Sequence, residues 1–566
     1  MSKEFNLERP WFRHYPATIR PSIDYPEIPL YQFVDDSAKA FPNRAATIFY
    51  GATLSFKQLA GMVDQMATAL HALGIQKGER VGLMLPNCPQ SLIAYNAILK
   101  VGGVVVQTSP MYVEREIEYQ MNDSGAQTMI VLDLFYQRVR NVQEKTALKR
   151  IIVTGLEDFM PFPLNFLYPL KLKKEGKRVK VEPAEGVYRF KELLHKHQPA
   201  PPRVEIDPVE DLALLQYTGG TTGVAKGTML THRNLVANTL QSREWFELKE
   251  GGKDILLGVL PFFHVYGMTV AMNLAALIGA TLVILPRFQI DEVLKTIDKY
   301  RPTLFPGAPA MYVAINNHPD VKKYDLSSIV ACISGSAPLP VEVQKKFEEL
   351  TGGKLVEGYG LTEASPVTHC SPIFGHRKIG TIGIPFPDTD CKIVDLATGE
   401  EELPQGEVGE LAVRGPQVMK GYWNRPEETQ MALRDGWLHT GDIARMDEDG
   451  YFQIVDRKKD MIISGGFNIY PRDVEEILYE HPKVKEVVVA GVPDAYRGEM
   501  VKAYVVLKDG VTATEEEFIE YCREKLARYK VPRAIEFRAE LPKNLVGKIL
   551  RRVLVDEERK KMEKPA

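Results

Sequence analysis

Cysteine is scarce in this chain of 566 residues: Cys88, Cys332, Cys370, Cys391 and Cys522 stand far apart, and no two have zinc-site or redox-motif spacing. An odd, scattered set excludes a disulfide framework and points to reduced thiols in the cytoplasm. Excess charge is lacking too. A formal net charge of −3 gives no global attraction for nucleic acid or anionic membrane, so any such affinity must be a local patch. The N-terminus, MSKEFNLERPWFRHYP, carries acids and no apolar core, so no secretory signal is expected. Internal repeats are absent. One long run, Ile255–Pro286, has no Asp, Glu, Lys or Arg and is long enough to cross a bilayer. Pro261, Gly267 and Gly279 divide it, however, and His264 and Asn273 interrupt it. The better parse is a short strand to Pro261, a buried helix over Met268–Ile278 and a buried strand over Thr281–Leu285, the core of a large α/β domain.

What is present is ordinary for a globular protein, with 45% hydrophobic and 26% charged residues. The length is too great for one core and predicts one large and at least one smaller domain. After an irregular, proline-rich arm to about Leu30, β-rich runs (Ala46–Tyr50, Arg80–Leu85, Val104–Gln107, Thr128–Leu132, Arg150–Val153) alternate with amphipathic stretches such as Phe56–Leu73 and Pro89–Lys100. That rhythm predicts parallel sheets covered by helices. It resumes at Leu212–Tyr217, Ser328–Ile333 and Lys354–Tyr359. From Thr389 the texture shifts to strands and tight turns, a β-barrel-like subdomain. Beyond Lys459, the runs Val484–Val489, Ala503–Leu507 and Ala534–Phe537 with a helix at Thr514–Ala527 predict an α+β module of about a hundred residues. The expected division is 1–456, a joint at 457–460, and a mobile 461–566.

Phe159–Lys180 breaks the rhythm. It joins an apolar run, FMPFPLNFLYPL, to a basic tail at Lys171, Lys173, Lys174, Lys177, Arg178 and Lys180. Two readings stay open: a surface loop that touches membrane or an acidic partner, and an insertion whose aromatics pack on the domain.

Four stretches carry chemistry. YTGGTTGVAKG (Tyr217–Gly227) follows an apolar strand. Its hydroxyls at Thr218, Thr221 and Thr222, glycines at Gly219, Gly220, Gly223 and Gly227, and Lys226 could wrap a polyphosphate, because backbone N–H groups converge on oxygens there. It is not a Walker A loop, since no glycine precedes Lys226 and Gly227 takes the Ser/Thr position. In GYGLTE (Gly358–Glu363), Tyr359 offers a flat face for a purine, Thr362 a hydroxyl, and Glu363 a hard ligand for magnesium. From Asp435 to Asn468 lie the Asp442 carboxylate in a TGD turn, suited to paired hydroxyls, then the charge burst Asp456–Asp460 and a glycine hairpin at Gly465–Gly466. The burst has no apolar anchor and reads as an exposed joint. In LPKNLVGKILRR, Gly547 frees the backbone before Lys548. Each stretch alone also fits a plain turn or a solvated face.

Their order is more specific. YTGGTTGVAKG, SGSAPL, GYGLTE, TGD, DRKKD, GGFNIYP and PKNLVGK together resemble the acyl-adenylate-forming superfamily of acyl-CoA synthetases, adenylation domains and luciferases, over essentially the whole chain. The span DGWLHTGDIARMDEDGYFQIVDRKKDMI is similar to the signature of fatty acyl-CoA synthetases, bacterial long-chain enzymes above all. Ala225 and Asn544 depart from the Pro and Thr of many relatives, and neither is a reacting group. The resemblance implies that Thr218–Lys226 holds the β- and γ-phosphates of ATP. It also implies that Tyr359 stacks on adenine, and that Asp442 and Arg457 bind ribose. Thr362 would contact the α-phosphate, Thr218 and Glu363 would hold Mg²⁺, and Gly335 and His264 would line the acyl site. Lys459 would be the hinge, Lys548 the lysine of adenylation, and Gly466 part of the hairpin presented to coenzyme A. A medium-to-long fatty acid, ATP and coenzyme A are the expected partners. Nucleic acid is not, a homodimer is admitted, and the expected place is the cytoplasm or the inner face of the membrane. The segment PFFHVYG lacks the acid that would pair with an α-ammonium, which disfavours an amino acid as substrate. A luciferase-like oxygenase shares every motif, and a silent acyl-binding protein is opposed by the intact Lys548, Glu363 and Asp442.

Overall fold

The computed structural model describes residues 9–218, 225–249, 251–457, 460–464, 467–494, 498–543 and 549–563. The chain divides into two compact units, one of Trp11–Asp390 with Val413–Leu438, the other of Met1–Pro10, Cys391–Ala412 and His439–Ala566. The architecture is the expected mixture of large parallel sheets with covering helices and a smaller α+β portion.

The first unit is built around an eight-stranded sheet. Six of its strands run parallel, in the order Leu212–Thr218, Val104–Gln107, Arg80–Met84, Thr128–Leu132, Arg150–Thr154 and Val187–Arg189. Val104–Gln107 and Thr128–Leu132 are buried at every position, as strands must be when both sheet faces are covered. The covering helices start where the sequence supplies caps. Ser55 Oγ accepts from Gln58 N at 3.2 Å while the Gln58 side chain accepts from Ser55 N at 2.8 Å, a capping box that opens Phe56–Ala72. Pro89, whose missing donor costs nothing in a first turn, opens Pro89–Lys100. The uncharged run forms the strand Ile255–Gly258, a helix entered through a π-helical turn at Met268–Asn273, and the strand Thr281–Ile284. It lies in the core, and among the described residues no helix is long and apolar enough to cross a membrane. The proline-rich arm is bound along its length: Trp11 is buried, Tyr15 Oη donates to Pro385 O at 2.6 Å, and Leu30 N donates to His232 Nδ1 at 3.1 Å.

In the second unit, Gly498–Leu507 pairs antiparallel with Val484–Asp494 and parallel with Ala534–Phe537. The helix Glu515–Lys525 is capped by Thr514, and with Pro471–Tyr479 it covers a core that includes Val487, Val489, Val505 and Phe518. Strands Ile462–Ser464 and Phe467–Ile469 pair antiparallel; Gly465 and Gly466, where a glycine hairpin is expected, lie outside the described residues.

Two expectations are corrected. Phe159–Lys180 is not a loop throughout: Leu164–Lys174 is a helix with Pro169 inside it, anchored by the buried Leu172. The charge burst is not wholly exposed either. Asp456 is buried and accepts from Arg472 N at 3.1 Å. Arg551, from the C-terminal helix, donates to Asp460 Oδ2 at 2.8 Å and to Glu475 Oε1 at 2.7 Å, and lies 3.9 Å from Asp456 Oδ1. A single guanidinium thereby compensates three carboxylates that would otherwise repel.

Candidate active site

Thr218 ends the strand Leu212–Thr218, and Lys226 begins the antiparallel strand Lys226–Thr231; the two residues are register partners. The two strands form an antiparallel pair on the edge of the parallel sheet, which places Thr218 opposite Lys226. Gly219, Gly220, Thr221, Thr222 and Gly223 lie outside the described residues. Beside Lys226–Thr231 runs the short strand Gly421–Tyr422, with Tyr422 opposite Thr228. The Lys226 ammonium sits 5.2 Å from the centre of the Tyr422 ring, within cation–π range. Tyr422 Oη in turn donates to Glu363 Oε1 at 2.8 Å.

Glu363 lies in the turn Thr362–Ala364, just past the strand Lys354–Gly360. Its backbone oxygen accepts from Met419 N at 2.8 Å, which ties this turn to the segment leading into Tyr422. Burial first, then the adjacent Glu363 carboxylate, pushes the Tyr422 hydroxyl well above its ordinary value. It stays protonated and can only donate to the carboxylate. Three of the expected residues, Thr218, Lys226 and Glu363, are thus gathered in one unit, and an unforeseen one, Tyr422, joins two of them. Thr362 adjoins Glu363 in the same turn.

Tyr359 faces His369 across neighbouring strands, the rings meeting edge-on at 5.8 Å and 66°. Burial pulls the His369 imidazole down to about 3, so it is neutral at pH 7, and Thr368 Oγ1 lies 2.9 Å from its Nδ1. The ring expected to stack on adenine is therefore fixed by a neutral neighbour.

His264 and Gly335 meet through a third residue. His264 Nδ1 accepts from Tyr266 N at 3.3 Å, opening a helical turn. Tyr266 is buried, and its hydroxyl donates to Ile333 O at 2.7 Å. The ring then passes so close to Gly335 that a Cβ there would lie 2.9 Å from Tyr266 Cζ. Only glycine fits this close approach.

In the other unit, Asp442 is buried and stands opposite Arg457 in the register of Trp437–Met446 with Phe452–Arg457. Gly441, at φ 71°, makes the bend that leads to it, and its N–H donates to Glu410 Oε1 at 3.0 Å. Lys459, Gly466 and Lys548 lie outside the described residues. Tyr422, Tyr266 and His369 were missed by reasoning from sequence. The only signal for the first was the aromatic pair in GYWN, and Tyr266 stood unassigned in PFFHVYG.

Residues 34–423 match the AMP-binding enzyme family, and residues 473–548 match the AMP-binding enzyme C-terminal domain. The long-chain-fatty-acid–CoA ligase of Bacillus subtilis (strain 168) is 51% identical over 97% of this chain and 98% of its own. The ligase of the same name from Escherichia coli O6:H1 is 39% identical over 99% and 100%. Among solved structures, ATP-bound MatB from Rhodopseudomonas palustris superposes with a TM-score of 0.83 at 29% identity, over 95% of this chain and 100% of that one. A Mycobacterium tuberculosis fatty acyl CoA synthetase does so with a TM-score of 0.72 at 28% identity, over 94% and 99%. With both domains matched in order and curated relatives aligned from end to end, the chain belongs to the AMP-binding enzyme family, as the order of its motifs implied.

Proposed function

We propose that this chain activates a medium-to-long fatty acid with ATP, giving acyl-AMP and pyrophosphate, and then passes the acyl group to coenzyme A, releasing AMP. The observation that carries the reading is the line Lys226–Tyr422–Glu363 beside Thr218: a cation, a fixed hydroxyl donor and a carboxylate next to the two ends of the glycine–threonine motif. That set fits a magnesium–polyphosphate, because Mg²⁺ is held by one or two carboxylates plus substrate phosphates rather than by an all-protein cage. Glu363 and Thr218 would hold it, and it would neutralise charge on the phosphates as the carboxylate approaches.

Thr218–Lys226 grips the β- and γ-phosphates, Thr362 the α-phosphate. Tyr359 stacks on adenine, and Asp442 with Arg457 binds the ribose hydroxyls. A carboxylate is a weak nucleophile, and its attack on phosphorus brings two anions together. Lys548 offsets that repulsion at the transition state. One carboxylate oxygen bonds to the α-phosphorus, and the bond to pyrophosphate breaks. In the second step the CoA thiolate attacks the acyl carbonyl, and AMP leaves. Residues 461–566 turn about the joint 457–460, at Lys459, to withdraw Lys548 and bring Gly466 toward the pantetheine. His264 and Gly335 flank the acyl carboxylate, and the apolar run Ile255–Pro286 supplies surface for the chain. The five cysteines are buried and unbridged, which suits a cytoplasmic enzyme.

The test is a Mg²⁺ titration of palmitate-driven ATP–pyrophosphate exchange. Tyr422→Phe removes only the hydroxyl that orients Glu363, and it should raise the Mg²⁺ needed for half-maximal exchange about tenfold. Glu363→Gln should raise it further or abolish exchange. A Glu363→Gln enzyme with the wild-type Mg²⁺ dependence would overturn the assignment.

A further inference from the structure

Leu164–Lys174 presents two unlike faces. At about 3.6 residues per turn, Asn165, Tyr168 and Leu172 share one side, and Phe166, Leu167 and Leu170 share the other. Leu172 is buried and Tyr168 half-buried, so the first side is the one that packs on the domain. The second side is bare: Phe166 is 65% exposed and Leu170 59%. Phe162, just before the helix, is 81% exposed and meets Phe166 edge-on at 6.1 Å. Leu167 is also exposed. Two phenylalanines and two leucines left together in water on one short segment form an apolar patch that monomeric proteins rarely leave without a purpose.

Lys173 and Lys174 continue the same outward face one turn on. Both are exposed, and among the described residues neither pairs with a carboxylate. Lys177, Arg178 and Lys180 follow, all exposed, with Lys180 paired to Glu182 at 2.5 Å. Glu175, which pairs with Lys177 at 2.9 Å, is the one acid between Phe159 and Lys180. The whole chain carries a net −3, so this is a local reversal of sign placed next to the apolar patch. Met160 and Leu172 are buried, and Phe159 packs edge-on against Phe190 at 6.5 Å. The element is therefore anchored in the domain while its far side is free.

We propose that Phe162–Lys180 is a membrane-docking element that seats Phe162, Phe166, Leu167 and Leu170 in the headgroup layer of an anionic bilayer. Lys173, Lys174, Lys177, Arg178 and Lys180 meet the lipid phosphates. Charge selects this occupant. An apolar protein surface would satisfy the patch but leave Lys173 and Lys174 unused, whereas an anionic bilayer offers both chemistries at the same depth. The element would collect substrate from the layer into which long acyl chains partition. That consequence rests on the ligase reading, while the binding itself does not.

The test is cosedimentation of the full chain with phosphatidylglycerol–phosphatidylcholine vesicles and with pure phosphatidylcholine vesicles, at low and high salt. The expected result is binding to the anionic vesicles alone, lost at high salt as screening sets in. Substituting Gln at Lys173, Lys174, Lys177, Arg178 and Lys180, or Ser at Phe166 and Leu170, should weaken it at least about tenfold. Turnover of soluble octanoate should be unchanged in both variants, which separates docking from catalysis and reports intact folding. A Phe166→Trp chain should shift its fluorescence to the blue on anionic vesicles. Three results would overturn the proposal: no binding to anionic vesicles at low salt, binding indifferent to both sets of substitutions, or self-association of the wild type abolished by Phe166→Ser, which would make the face an interface between copies.

Discussion

Gly335→Ala is the smallest change that probes the wall between the proposed acyl site and the core. The new Cβ would lie 2.9 Å from Tyr266 Cζ, 3.0 Å from Cε1 and 3.2 Å from Oη. The ring cannot step aside cheaply, because it is buried and its hydroxyl donates to Ile333 O at 2.7 Å. The backbone is held as well, with Gly335 N donating to Gly307 O at 3.1 Å. One extra methyl in such a packed place costs about 1–3 kcal/mol. If that strain falls on acyl binding, it corresponds to a 5- to 150-fold rise in the fatty-acid KM, roughly. If it falls on the fold, it lowers the unfolding free energy by the same amount. Calorimetry and KM for fatty acid and for ATP, taken together, show where it goes, and the ATP value should hold. Tyr266→Leu removes the ring that the methyl meets, so the double variant should be less impaired than the sum of the two singles. A Gly335→Ala enzyme of wild-type stability and KM, or strictly additive effects in the double variant, would refute the contact argument.

Other expectations follow from the same structure and reading. Lys548→Ala should abolish acyl-AMP formation and largely spare thioester formation from preformed acyl-AMP and coenzyme A; equal loss of both would remove its assigned role. Lys459→Pro fixes φ and deletes a backbone donor at the proposed joint, so adenylation should stay near normal while the second step collapses, and a variant with both steps intact would place the pivot elsewhere. Arg551→Met leaves Asp456, Asp460 and Glu475 without their shared cation. Because 20% of the arginine side chain is exposed, the loss should fall at or below the lower end of about 3–5 kcal/mol, read by denaturant unfolding; no loss would mean that solvent already screens the cluster.

The parallel strands were legible because burial on both faces demands unbroken apolar runs. Val104–Gln107 and Thr128–Leu132 form over the very residues that such runs mark. The antiparallel pairing of Thr218 with Lys226 was not, since it depends on the strand that follows. Leu164–Lys174 hid behind Pro169 and behind leucines on both faces, which blur the 3.6-residue period. The π-helical turn at Met268–Asn273 sits in a run so uniformly apolar that no period exists to read. Tyr422 and Arg551 escaped for another reason. Each acts on carboxylates far from it in sequence, and neither residue's neighbours announce the partner. The burial of Asp456 is not legible in the charge burst, because its cation arrives from the C-terminal helix.

One measurement bears on the central claim most directly: exchange of labelled pyrophosphate into ATP with Mg²⁺ and without coenzyme A, run with palmitate, with an amino acid and with no acid. The account predicts exchange with palmitate alone, followed by palmitoyl-CoA and AMP once coenzyme A is added. Exchange driven by the amino acid, or palmitoyl-CoA formed with no palmitate-dependent exchange, would contradict it.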